Sequence, residues 1–154
     1  MNETQDKHAE ASNIVKRHVY ASIAAGLVPV VWFDMVALTA LQLKMLRDLA
    51  QLYNVDFSNQ LGQSAIAALV SGGAVYPIRM LAKYIPIAGW LATLGSVSLF
   101  SGASTYAVGK VFIQHFSSGG TFLTFDPQKV RDYYQQQFTQ AKGEVKQSYA
   151  GVRP

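Results

Sequence analysis

Residues 19–55, VYASIAAGLVPVVWFDMVALTALQLKMLRDLAQLYNV, change character partway along. From Val19 to Leu43 the one charged side chain is Asp34, and Pro29 interrupts the run near its middle, so this part reads as a bilayer-like or deeply buried segment. Beyond it Lys44, Arg47, Asp48 and Gln51 recur at three- and four-residue spacing, opposite a stripe of Leu38, Leu41, Met45, Leu49 and Leu52. That is the pattern of an amphipathic helix. Val19 to Val28 covers only about 15 Å as a helix, half the roughly 30 Å of a hydrocarbon core. It cannot span a bilayer alone. Either a helix continues through a proline kink, or the chain turns at Pro29 and returns, since proline removes a helix donor and disfavours helical geometry just before it. Asp34 reads as a buried acid for a partner or cation, or as a helix-start carboxylate favoured by the dipole.

Composition points the same way. Half of the 154 residues are apolar and 14% are charged, against roughly 25% charged in a typical soluble domain. From Phe57 to Phe125 there is no acidic residue, and the cations are Arg79, Lys83 and Lys110. Membrane or multimer contact is the simplest way to clothe such a surface. The expected organisation is a flexible polar tail (1–12), a single helical membrane-associated domain (13–146) and a disordered tail (147–154). Ser12 or Asn13 is the expected cap of a helix beginning near Ile14. Lys16, Arg17 and His18 precede the apolar run, and this basic cluster suits either an anionic membrane face or a solvated helix turn. There is no cysteine, which excludes disulfides and cysteine-ligated metals.

Asn54, Asp56, Ser58 and Asn59 mark a loop and a new helix start. In the next segment Ser64, Ala68 and Gly72 recur every four residues, a face that lets helices approach closely in lipid or pack tightly in a water-soluble bundle. Gly72, Gly73 and Pro77 weaken that helix near its end. Tyr84 to Gly109 is a 26-residue uncharged run, long enough for a transmembrane candidate. Its many glycines and serines favour a helix packed on other helices, with Gly102, Thr105 and Gly109 as contact positions. A faint repeat pairs Ala37, Thr39 and Lys44 with Ala103, Thr105 and Lys110, which suggests two similar hairpins. Asp126 followed by Pro127 reads as a cap and first helical position. After them Val130, Tyr134, Phe138, Ala141 and Val145 form the docking stripe of a surface helix that Gly143 is expected to fray.

Chemistry is hard to find. GASTYAVGK (residues 102–110) fails as a phosphate loop, because six residues separate its glycines and Val111 stands where a magnesium-binding Ser or Thr belongs. His8, His18 and His115 are scattered, without metal-ligand spacing. No nucleophile elbow accompanies the serines. The cations are too dispersed for a nucleic-acid face. The expectation is therefore no catalytic residues, no cofactor, no metal and no nucleic acid.

VALTALQLKMLRDLAQLYNVDFS (residues 36–58), SGASTYAVGKVFIQHFSSGGTFLTFD (residues 101–126) and the PQKVRDYY that follows carry a likeness. The chain resembles a bacterial membrane-protein family of unknown function, the YcjF-type family with domain of unknown function 697. That domain also occurs fused to, or encoded beside, Era-like and dynamin-like GTPase domains. The likeness runs from about Val15 to Phe138, departs from the family's IPIPG-like turn at VPVVWFD (residues 28–34), and carries no GTPase motif with it. It implies an all-helical, membrane-associated domain of the bacterial inner membrane, an anchor or effector of a GTPase supplied by another chain.

The combined expectation is an all-α fold of helical hairpins with an amphipathic C-terminal helix and polar segments in the cytoplasm. Lys44, Arg47, Lys129 and Arg131 are the candidate partner or lipid-headgroup face. Ser64, Ala68, Gly72, Gly102, Thr105 and Gly109 are the candidate helix-packing positions, used for homo-oligomer formation. Two other readings share these features: a structural or pore-forming subunit of a larger membrane assembly, and a soluble helical binding module. Cations stand before, between and after the apolar segments, so loop charge does not choose an orientation.

Overall fold

The structure is a computed structural model that describes residues 3–26, 34–81 and 90–150, with side chains described for 3–24, 36–70 and 99–144. The described residues form five helices: α1 (Glu3–Gly26), α2 (Asp34–Leu52), α3 (Asn59–Leu81), α4 (Trp90–Ser117) and α5 (Arg131–Ala150). Pro29 and Pro86, the centres of the two expected hairpins, lie outside the described residues.

α4 is the axis of the fold, with α1, α2, α3 and α5 all packed on it. Side-chain pairs give the directions. Val15 meets Gly109 and Ile23 meets Gly102, so α1 runs antiparallel to α4. Gln42 bonds Ser104 and Thr105 near one end while Tyr53 packs on Phe116 near the other, so α2 runs parallel to α4. Tyr134 meets Ser104 and Phe138 meets Phe100, which makes α5 antiparallel to α4. Among the described residues α5 packs on α4 and α3 and not on α1 or α2.

The core gathers Ala11, Ile14 and Val15 of α1, Met45, Leu46, Leu49 and Ala50 of α2, Ala65, Ile66 and Leu69 of α3, and Val108, Val111 and Phe112 of α4. Phe112, Met45, Leu46 and Leu49 are fully buried, and each large apolar side chain so placed contributes about 1.5–3 kcal/mol relative to exposure. At the end away from the hairpin, left-handed residues close two helices. Asn54 (φ 55°) ends α2, with Val55 N–H donating to the Ala50 carbonyl at 2.8 Å. Gly119 (φ 83°) ends α4, with Gly120 N–H donating to the His115 carbonyl at 2.9 Å. Both bonds satisfy carbonyls that a helix end otherwise leaves orphaned. Ser58 Oγ accepts from Leu61 N–H at 3.3 Å and so caps α3.

Several expectations change here. α1 begins at Glu3 rather than near Ile14, so residues assigned to a polar tail are helical. The reason is packing: Ala11 is completely buried, and Glu3 pairs with Lys7 one turn on at 3.3 Å. Asp126 does cap a turn, its Oδ1 accepting from Gln128 N–H at 3.0 Å, but regular helix starts at Arg131. α5 then passes through Gly143 to Ala150, taking in residues 147–150. α3 likewise continues through Pro77 to Leu81.

The transmembrane candidate at Tyr84 to Gly109 finds no support: among the described residues no helix is long and apolar enough to cross a membrane. The small and hydroxylated residues of this run whose side chains are described belong to packing inside the chain. Ser101, Gly102, Ser104, Thr105 and Gly109 are all buried, and all five meet side chains of α1 or α2, Ser101 through its carbonyl.

Candidate partner face and the polar seam behind it

α2 carries two unlike faces, and the phase of its apolar stripe decides what each does. Leu38, Gln42, Met45 and Leu49 point inward, while Val36, Ala40, Lys44, Arg47 and Gln51 are exposed. Gln42 therefore occupies a core position, 1% exposed. Its Nε2 lies 3.2 Å from Ser104 Oγ and 3.3 Å from Thr105 Oγ1, donating towards both. Ser104 Oγ is in turn 3.4 Å from the Tyr134 hydroxyl. A buried polar seam thus ties α2, α4 and α5 together, and each hydroxyl gains a partner that burial would otherwise deny it. Nearby, Ser22 Oγ donates to the Val19 carbonyl at 2.8 Å and lies 3.3 Å from the Ser101 carbonyl.

A second buried polar contact joins α1 to α2. His18 is 7% exposed. Its Nδ1 is 2.8 Å from the Ile14 carbonyl, and since a carbonyl only accepts, Nδ1–H donates to it while Nε2 faces Asp48 Oδ2 at 3.7 Å. Lys44 Nζ holds the same carboxylate oxygen at 3.1 Å. The basic cluster at residues 16–18 therefore divides: Lys16 and Arg17 are exposed and His18 is turned inward.

Of the expected partner-face residues, Lys44 and Arg47 share the exposed face of α2, with the Arg47 guanidinium 5.1 Å from the Phe57 ring centroid. Lys129 and Arg131 are exposed at the start of α5. That helix packs on α4 and α3 and, among the described residues, does not meet α2, so the four cations form two separate pairs. Among the expected packing positions, Gly102 and Gly109 face α1. A Cβ on Gly102 would stand 2.7 Å from Ile23 Cγ1, and one on Gly109 would stand 2.5 Å from Val15 Cγ2. Thr105 faces Gln42 on α2. Ser64 and Ala68 are exposed on α3. Gly72 belongs to α3, and its surroundings, like the side chain of Asp34 at the first position of α2, lie outside the described residues.

The far end of α4 is aromatic. Phe112 stacks on Phe125 at 4.7 Å, and Phe116, Phe122 and His115 complete the cluster. His115 Nε2 is 2.8 Å from the Thr121 carbonyl, and its ring fills the space beside Gly120 where a Cβ would stand. This holds the 118–126 loop on the core. Among the described residues no group of three or more His, Asp or Glu gathers as a metal set, and the groove on α5 lined by Asp132, Gln135, Gln136, Thr139 and Gln140 is open to solvent.

The sequence reading missed Gln42 and the seam, and the signal was present. Leu38, Gln42, Met45 and Leu49 recur at alternating four- and three-residue steps, and the one polar member of such a stripe needs a buried partner. The seam also has a pH signature. Burial raises the Tyr134 hydroxyl above its ordinary value, with the Ser104 contact opposing it, and burial likewise raises Tyr53 and Tyr106. Because the folded state resists ionisation, these groups leave stability intact below the unfolded value of 10.0 and withdraw it as pH climbs through the raised folded value. Thermal melts followed by circular dichroism should therefore fall above about pH 10, and Tyr134→Phe should fall less steeply there. An identical alkaline slope in the variant would remove Tyr134 from this account.

The comparisons with known proteins fit this all-helical architecture. Residues 2–143 match the family model described as "Domain of unknown function (DUF697)". The chain is 40% identical over 137 residues to "Magnetosome membrane protein 22" of Magnetospirillum gryphiswaldense, covering 86% of this chain and 70% of that protein. No solved structure matches. With nearly all of its helical bundle inside the matched residues, the chain belongs to the family of domain of unknown function 697.

Proposed function

We propose that this chain is a non-enzymatic, membrane-associated helical domain that serves as anchor or effector partner of a GTPase supplied by another chain. The observation that carries the membrane part is the relative, itself a magnetosome membrane protein, 40% identical across most of both chains. The surface agrees with it. Tyr20 and Val36, 71% and 76% exposed, are large apolar side chains left open at the hairpin end of α1 and α2. The GTPase part rests on the family resemblance and on the exposed cations Lys129 and Arg131, which suit an acidic partner surface.

Self-association belongs to the same proposal, and the fold narrows where it falls. Gly102, Thr105 and Gly109 are occupied by α1 and α2, whereas Ser64 and Ala68 are exposed. A second copy therefore meets α3.

The test is fractionation followed by photo-crosslinking. The chain should sediment with membranes and resist high salt. A photo-reactive residue at position 129 should trap a nucleotide-binding polypeptide, and one at position 64 should trap a second copy. Recovery of the whole chain in the supernatant at low salt rejects the membrane part. Membrane recovery with no nucleotide-binding adduct at position 129 rejects the GTPase part.

A further inference from the structure

α1 and α2 carry the same gradient along their outer faces, read from opposite directions. On α1 the exposed cations Lys16 and Arg17 are followed by Tyr20, Ala21 and Ala24 as the exposed side chains. On α2 the exposed residues before Lys44 and Arg47 are Val36 and Ala40. The half-buried residues in between, Val19, Ile23, Ala37, Thr39, Leu41 and Leu43, are uncharged, and His18 is buried.

The cations also lie near one level. Val15 stands opposite Gly109, Ile23 opposite Gly102 and Gln42 opposite Ser104 and Thr105. At 1.5 Å per residue this register sets Lys44 beside Arg17 and His18 and Arg47 beside Val15 and Lys16, a belt about one turn wide.

We infer that the outer face of the α1–α2 pair docks on an anionic lipid surface, with its exposed apolar side chains Tyr20, Ala21, Ala24, Val36 and Ala40 at the acyl boundary and Lys16, Arg17, Lys44 and Arg47 at the phosphates. Tyr20, with an apolar ring and a hydroxyl, sits where interfacial aromatics are favoured. Lys44 shares its charge with Asp48, so Lys16, Arg17 and Arg47 supply most of the attraction. Asp34, beyond the belt, is the first residue of α2, where the helix dipole favours a carboxylate. α5, on the other side of α4, exposes Lys142 and Glu144, so the inserted surface is that of α1 and α2 and not the whole end of the bundle. This inference rests on the membrane reading above and adds the face and the lipid charge.

The test uses the full chain with vesicles of phosphatidylcholine alone and vesicles containing phosphatidylglycerol. Flotation should favour the anionic vesicles and weaken with salt. At about fivefold per cation, Lys16→Gln with Arg17→Gln should weaken partitioning roughly 30-fold, while Lys129→Gln with Arg131→Gln should leave it nearly unchanged. Circular dichroism confirms that each variant folds. The chain lacks cysteine, so an environment-sensitive label on Ala24→Cys or Ala40→Cys should shift to the blue on anionic vesicles, and one on Gln51→Cys should not.

Equal flotation on both lipids, or flotation indifferent to Lys16 and Arg17 with a water-exposed label at position 24, overturns this face and leaves membrane association standing. No flotation on either vesicle removes the membrane reading and the inference together. Shielding of the position 24 label by added protein alone, without vesicles, assigns the face to a second copy and overturns the lipid assignment.

Discussion

Phe112→Ala should cost about 4 kcal/mol of unfolding free energy, within the 3–5 kcal/mol typical of a buried phenylalanine cut to alanine. Phe112 is completely buried and is the ring that the rest of the aromatic end is arranged around. It meets Phe125 at 4.7 Å, Phe116 at 5.3 Å and Phe122 at 5.6 Å. Two of those partners belong to the loop after α4, which leaves the helix through Gly119 and returns to the core through Phe122 and Phe125. Removing the central ring opens a cavity and also releases the loop's two anchors. Against a total stability of about 5–15 kcal/mol, the loss brings the chain close to its unfolding threshold.

The measurement is equilibrium denaturation, with amide exchange across residues 118–130. The expected result is a lower midpoint together with faster exchange in that loop, while Phe112→Leu, which keeps most of the volume, should lose less than half as much. The companion result is Leu123→Ala. Leu123 is 85% exposed between the two anchors, so its loss should change stability by less than about 0.5 kcal/mol. An unchanged midpoint in Phe112→Ala would show that the aromatic end does not belong to the cooperative core.

How much of this was legible beforehand depended on which force set each feature. Periodicity read α2 and the stripe of α5 because one face of each helix meets solvent, which leaves an alternation to see. It chose Leu41 over Gln42 for the inward stripe of α2, and so missed the seam, because a hydropathy pattern ranks glutamine as a surface residue whatever waits opposite it. Turn chemistry read the Asn54–Ser58 connection, since the left-handed Asn54 and the capping Ser58 act locally.

The start of α1 was not local in that sense. Residues 3–10 are polar enough to pass for a tail, and what orders them is the burial of Ala11, Ile14 and Val15 on α4, about a hundred residues away. Lys44, Arg47, Lys129 and Arg131 are exposed, but which side of the bundle each occupies required the packing of α5 on α4. Glycine posed the hardest problem. Ser64, Ala68 and Gly72 look as good a contact face as Gly102, Thr105 and Gly109, yet Ser64 and Ala68 are open while Gly102 and Gly109 lie against side chains of α1. Small-residue spacing says that a close approach is possible, and only the neighbour's identity says that it happens.

The neighbour at Gly109 gives the second large effect. Gly109→Ala places a methyl 2.5 Å and 2.8 Å from the two Cγ atoms of Val15. Those atoms sit on a β-branched side chain whose rotamer is largely fixed in a helix, so the clash cannot be relieved by swinging a flexible tip aside. α1 has to shift, at a cost of about 1–3 kcal/mol for overpacking. That outweighs the gain of about 1 kcal/mol expected from alanine over glycine in a helix. Gly109→Leu, with three more carbons in the same space, should exceed the alanine variant and separate α1 from α4 altogether.

Val15→Ala turns this into a test of mechanism. Alone it destabilises, because a buried Val side chain is worth about 1.5–3 kcal/mol relative to exposure. Combined with Gly109→Ala it removes both clashing atoms and leaves Val15 Cβ, 3.2 Å from the new methyl, as the remaining close contact. The double variant should be more stable than the sum of the singles by about 1–2 kcal/mol, the coupling expected of two residues in direct contact. Strict additivity in the cycle would mean that Gly109 is required by something other than α1, and the antiparallel seating of α1 on α4 would lose its main support.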